Sequence, residues 1–143
     1  MISKEVFNSS VEVGARIVLL LSGLNLKLSL DDLVFFDYAL IYSRDFQGEE
    51  SLHPALLNRL AELVRRREIF PDSIKLYASK GLLTTQVDEL GVRYSITLEG
   101  REFAERLSSP YHRNFASRVP WIAENIERLR VQKRMTYKLD RVV

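Results

Sequence analysis

A chain of 143 residues with 46% hydrophobic content has ample material for one compact core with an appendage and too little length for two domains. Its lack of cysteine excludes disulfides, thiolate zinc sites and cysteine nucleophiles, and fits a reducing cytoplasm. The net charge of +2 conceals a split, because residues 1–58 carry 4 Lys and Arg against 8 Asp and Glu, and residues 59–143 carry 17 against 11. An acidic front and a basic back suit a nucleic-acid footprint, and equally a self-complementary or partner-binding surface.

The opening MISKEVFNSS lacks the basic-then-apolar pattern of a signal peptide. The apolar run from Ala15 to Leu21 is interrupted by Arg16 and is far too short to span a bilayer, so the expectation is a soluble cytoplasmic protein with no membrane contact. Ser9-Ser10-Val11-Glu12 has the form of a capping box ahead of a helix whose stripe is Val13, Ile17, Leu20 and Leu24. A second helix is predicted after Ser29, with Asp31 and Asp32 in its first turn where carboxylates meet the positive end of the helix dipole. From Leu33 to Tyr42 that helix is apolar on nearly every side, with Asp37 its only charge. Such a helix must be buried on nearly every side, either by a second copy across Phe35 and Phe36 or as a central helix wrapped by its own domain.

Residues 43–53 have loop composition, and Pro54 suits the first position of a third helix ending at Arg65-Arg66-Arg67. Those arginines read as a dipole-matched helix end or as a patch for phosphate or an acidic partner. A fourth helix is expected from Pro71-Asp72 to Lys80, with Ile74, Tyr77 and Ala78 inward and Asp72, Ser73, Lys75, Leu76, Ser79 and Lys80 outward. Lys80-Gly81 reads as a helix terminus. Leu82–Val87 and Val92–Leu98 then form a hairpin around the turn Asp88-Glu89-Leu90-Gly91, and Thr97 leads into another helix. Helix, hairpin and helix in that order predict a winged helix-turn-helix, mainly α with a small β-hairpin wing, over residues 1–108.

As a DNA reader this wing is poorly equipped. The outward face of the fourth helix has no arginine or asparagine for bidentate base contacts. Asp88 and Glu89 at the wing tip would oppose phosphates, with only Arg93 to offset them. Charge placement therefore favours a protein partner, with Asp88 and Glu89 as candidate contacts.

Ser108-Ser109-Pro110 starts a C-terminal extension over 109–143. Phe115, Val119, Ile122, Ile126 and Leu129 follow an a/d rhythm, and Pro120 predicts a kink or two helices meeting near Val119. Phe115, Trp121, Ile122 and Ile126 are the candidate partner residues here. The tail holds Arg128, Arg130, Lys133 and Arg134, candidate phosphate contacts together with Arg65, Arg66, Arg67, Lys75, Lys80 and Arg93, and its order in isolation is doubtful.

Catalytic patterns are scarce. His53 and His112 are the only histidines, Glu50-Ser-Leu-His53 is a single E-x-x-H, and no phosphate-cradling glycine loop is present. Neither a metal site nor a cofactor is expected.

Several short motifs converge on one family. Phe7-Asn8-Ser9, Glu12-Val13-Gly14, VFFDYALIYSRDF at 34–46, SLHPAL at 51–56, SKGLL at 79–83, GVRYSITLEG at 91–100 and SPY at 109–111 together resemble the middle component of bacterial ABC-three-component systems, over roughly residues 7–126. The resemblance implies a non-enzymatic winged-helix accessory subunit, similar in role to those of SMC-like machines, linking a large ABC-type ATPase to an effector in conflict with phage or plasmids. The expectation of a homodimer comes from the all-round apolar second helix, and the resemblance leaves open whether DNA is touched within the complex. The competing reading is a dimeric winged-helix transcription regulator, for which the basic tail and Arg65 to Arg67 would supply phosphate contacts.

Overall fold

The computed structural model describes residues 9–42 and 52–142, and side chains within 9–42 and 59–138. Motif residues Phe7 and Asn8, the expected loop over 43–51, and the side chains of Ser51 and His53 lie outside the described part. Six helices and one hairpin make up the described chain: α1 Ser10–Leu24, α2 Leu30–Ile41, α3 Leu52–Ser79, β1 Leu83–Asp88, β2 Gly91–Ile96, α4 Leu98–Arg106, α5 Pro110–Glu124 and α6 Ile126–Val142. The architecture is mainly α with a two-stranded antiparallel wing, as expected.

Local signals set most helix starts. Ser9 accepts the Glu12 amide at 3.2 Å, and Ser29 and Asp32 form a reciprocal capping box that opens α2. Thr97 accepts the Gly100 amide at 2.9 Å, and Ser109, followed by Pro110, accepts that of His112 at 3.1 Å. At the end of α3, Gly81 at φ 76° lets its amide reach Ala78 O and the Leu82 amide reach Tyr77 O, the paired bonds of a Schellman stop. In the wing, Gly91 at φ 103° takes the left-handed position, as its place in the turn predicted.

The core lies around α1, which packs on α2, α3, α4 and α5. Here α2 answers the question its composition raised: Phe35 and Phe36 are fully buried by their own chain, so they offer no surface to a second copy. The apolar surround of α2 is a wrapped central helix.

Neither Pro71 nor Pro120 ends a helix, for one reason. Instead of separate helices parting before Pro71, α3 runs through it from Leu52 to Ser79. Its buried side chains Arg59, Leu63, Arg66, Phe70, Ile74 and Tyr77 keep one helical stripe on both sides of the proline. An interior proline costs about 3 kcal/mol, which burying Phe70, Ile74 and Tyr77 at roughly 1.5–3 kcal/mol each outweighs. Likewise α5 continues through Pro120 because Val119 and Ile122 on either side of it are both core residues. The break falls at Asn125, whose amide reaches back to Trp121 O and Ile122 O, and α6 begins after it.

Candidate protein-docking site

Charges placed inside the fold decide which are left for partners. Asp37 of α2 is fully buried and accepts Nε of Arg16 at 2.8 Å and Nη2 at 3.2 Å, a two-pronged contact from α1. Arg66 of α3 donates Nη1 to the same carboxylate, and Glu62 lies 3.6 Å from its Nε. The Arg66 guanidinium also sits 5.8 Å from the Tyr38 ring centroid and 5.9 Å from that of Tyr42. Burial works against the charged form of Arg16, but the field and hydrogen bonds of Asp37 hold its guanidinium even more firmly protonated than usual. Arg66 is therefore no phosphate contact and no helix terminus: it is a core residue that pins α3 to α2. Its neighbour Arg67 pairs with Asp31 at 3.3 Å, and Arg65 lies 3.9 Å from Glu62.

The basic tail is likewise engaged. It forms α6 and packs on α2 and α3 with Leu129 and Thr136 fully buried. Lys133 donates to Asp32 at 2.6 Å, and Arg130 lies 3.7 Å from the same carboxylate. Arg128 donates to Asn125 Oδ1 at 3.1 Å and lies 5.9 Å from the Trp121 ring centroid, while Arg134 is exposed. The predicted coiled-coil seam turns inward: Phe115 and Ile122 are buried, Trp121 and Ile126 half-buried, all packed against the chain's own core. Phe115 and Ile122 are therefore not a partner surface of the kind their spacing suggested, because α1 and α2 already cover α5, whereas Trp121 and Ile126 keep part of their surface open.

One further constellation joins α5 to α1. His112 Nε2 lies 2.8 Å from Glu12 Oε1, and its Nδ1 lies 2.9 Å from Ser109 Oγ. The three residue types are those of a hydrolytic triad, but the Ser109 hydroxyl is the N-cap of α5 and is held by the His112 amide. The set ties the start of α5 to the first turn of α1.

At the wing, Asp88 and Arg93 form an ion pair across the hairpin, and Asp88 also accepts the Leu90 amide at 2.8 Å. The Arg93 hydrogen bond, then that of the Leu90 amide, hold the Asp88 carboxyl below its ordinary range. Of the charges assigned to the tip, Asp88 and Arg93 thus answer each other and Glu89 projects. Lys75 and Lys80 are exposed near the end of α3, whereas Ser73, placed outward by the helix periodicity, is buried.

The wing also carries apolar residues beside its charges. Val87 and Leu90 are 77% and 79% exposed, and Val92, which opposes Val87 across the ladder, is 45% exposed. An apolar turn tip between two cross-strand valines was legible as a signal, since a solvated wing would carry polar residues there. Three such side chains on a projecting hairpin form a compact patch that no element of the described chain covers, flanked by the carboxylate of Glu89.

Among the described residues no helix is long and apolar enough to cross a membrane, and no group of three metal-ligating side chains occurs. No curated protein and no solved structure matches the chain. A family model does, over residues 6–141, so that the match includes α6 and its basic residues as well as the core: the chain belongs to the ABC-three component (ABC-3C) system Middle Component 2 family.

Proposed function

We propose that this chain is a non-enzymatic adaptor that couples the ABC-type ATPase of its system to a separate effector in defence against phage or plasmids, and that the wing tip is one of its partner contacts. The observation that carries this reading is the uncovered apolar tip of Val87, Leu90 and Val92, on a hairpin where Asp88 and Arg93 neutralise each other. Apolar side chains held away from their own core gain their desolvation energy only from another molecule. Charge placement supports protein over DNA, because Arg66, Arg67, Arg93, Arg130 and Lys133 are each paired with a carboxylate of this chain. In this reading the ATPase changes the arrangement of its subunits and the adaptor, rigid through its buried charge hub, passes that change to the effector.

The test is co-purification of this chain with the ATPase and effector of its system, using Val87→Asp with Leu90→Asp. Assembly should weaken by about tenfold or more while melting stays near that of the parent, as for a truncated interface anchor. Full assembly by this variant would remove the wing tip from the interface; failure of the parent chain to assemble with either protein would overturn the adaptor role. Reversal of Glu89 alone to lysine is the cleaner charge probe, because changing Asp88 also dismantles the turn.

A further inference from the structure

Among the described residues, the outer edge of β1 is a row of backbone groups without backbone partners, beside a groove. Thr97 donates its amide to Leu82 O at 3.3 Å, which makes the Leu82–Thr97 position a hydrogen-bonded one. Antiparallel alternation then places the ladder bonds at Thr84–Ser95 and Gln86–Arg93. Tyr94 fixes the same phase, since it exchanges its amide and carbonyl with Leu28 on the far side of β2, at 2.8 and 2.9 Å. Thr85 and Val87 therefore direct their N–H and C=O away from β2, and no backbone group of the described residues meets them.

Exposed edges are normally guarded by lysine, proline or a bulge. Here β1 has none of these: LTTQVD pairs in unbroken register, and its only charge, Asp88, is held by Arg93. On the face shared by Thr85 and Val87, a groove of about 190 Å³ runs between the hairpin and α3, walled by Pro71, Ile74, Lys75, Ala78, Thr85 and Tyr94. Lys75 is exposed, and no salt bridge among the described residues engages it.

We infer that β1 receives an extended segment of a partner protein as a third strand, with an apolar side chain of that segment seated in the groove and a carboxylate beside Lys75. The inference rests on the adaptor reading and specifies how the partner is held. The row of free amides and carbonyls requires a strand, and the alternation of side chains sends every second one to the groove face. A second copy of β1 fits less well, because its only carboxylate is already engaged by Arg93 and the Leu90 amide and brings nothing to Lys75.

Thr85→Pro tests the edge without breaking the ladder, since the amide it removes points outward. With the ATPase and effector of its system as partners, this variant should co-purify about tenfold less well than Thr85→Val, the loss expected when a buried acceptor is denied its donor. Amide exchange on the intact parent chain, followed by NMR with and without those partners, gives a second readout that does not depend on the variant's folding. Thr85 and Val87 amides should exchange freely alone and become protected in the complex. Unprotected amides in a complex that forms normally overturn the inference and leave the adaptor role standing, as does a Thr85→Pro variant that folds and assembles like Thr85→Val. Protection that rises with the chain's own concentration, without partners, replaces the partner strand by a second copy. If the parent chain assembles with neither protein, both the adaptor role and the strand fall.

Discussion

Asp37 holds two arginines in a place where neither could stay alone. Removing one member of a buried ion-paired set leaves an uncompensated charge and typically costs about 3–5 kcal/mol. Asp37→Ala should therefore lower the unfolding free energy by about that amount in urea titration, and Arg16→Met added to Asp37→Leu and Arg66→Met should recover much of it. Each of the three was visible in the sequence as an interruption: Arg16 in an apolar run, Asp37 in an apolar helix, Arg66 in a basic triplet. Their meeting was not, because the partners stand 21 and 29 residues apart and periodicity reports only on neighbours. Asp88 acts on a smaller scale. Its folded pKa is lowered from 3.8, so the wing stabilisation it supplies is full above about pH 4 and is lost as pH falls through the lower folded value. The Leu90 amide resonance should report that change only at the acid end of a titration, and Asp88→Asn should abolish it.

At the level of elements, caps were the most legible feature and proline breaks the least. Ser9, Ser29, Thr97 and Ser109 act within three residues of themselves, so a linear pattern contains all of the relevant physics. Whether Pro71 ends a helix depends on what Phe70 and Ile74 pack against, and that is set by α1 and α2. The fate of the tail depended on Asp32, which is an acidic first-turn residue of α2 and also the anchor for Lys133 and Arg130 of α6. Asp32→Ala should remove both functions. We expect a loss of about 1 kcal/mol for the capping box, with a further decrement for the α6 contacts. Lys133→Ala should forfeit only the second part. Amide exchange in α6 should quicken in both variants, and a slowed or unchanged α6 in Asp32→Ala would show that apolar packing of Leu129 alone secures the helix.

Over the whole molecule, the acidic front and basic back find each other. Glu12 meets His112, Asp31 meets Arg67, Asp37 meets Arg66, and Asp32 meets Arg130 and Lys133, so each acidic side chain described in the front of the chain has a partner from the back. The isolated protein should consequently hold duplex DNA no better than a weak non-specific binder, with Kd of about 10⁻⁴ M at physiological salt and a shallow salt slope. A steep slope in fluorescence anisotropy would mean that phosphates displace these internal partners. The order of helix, hairpin and helix was readable from glycine placement and β-branched runs, whereas the exposure of Val87, Leu90 and Val92 was not, because a strand's alternation does not say which of its faces the core covers. The β1 edge, unpaired by any described residue, has a consequence for the cell. A strand that invites any extended chain is a hazard in a subunit made in excess, since surplus copies can seed amorphous deposits or recruit nascent polypeptides. Synthesis in step with its partners would keep that edge occupied, and an orphaned copy would be a natural substrate for quality-control proteolysis.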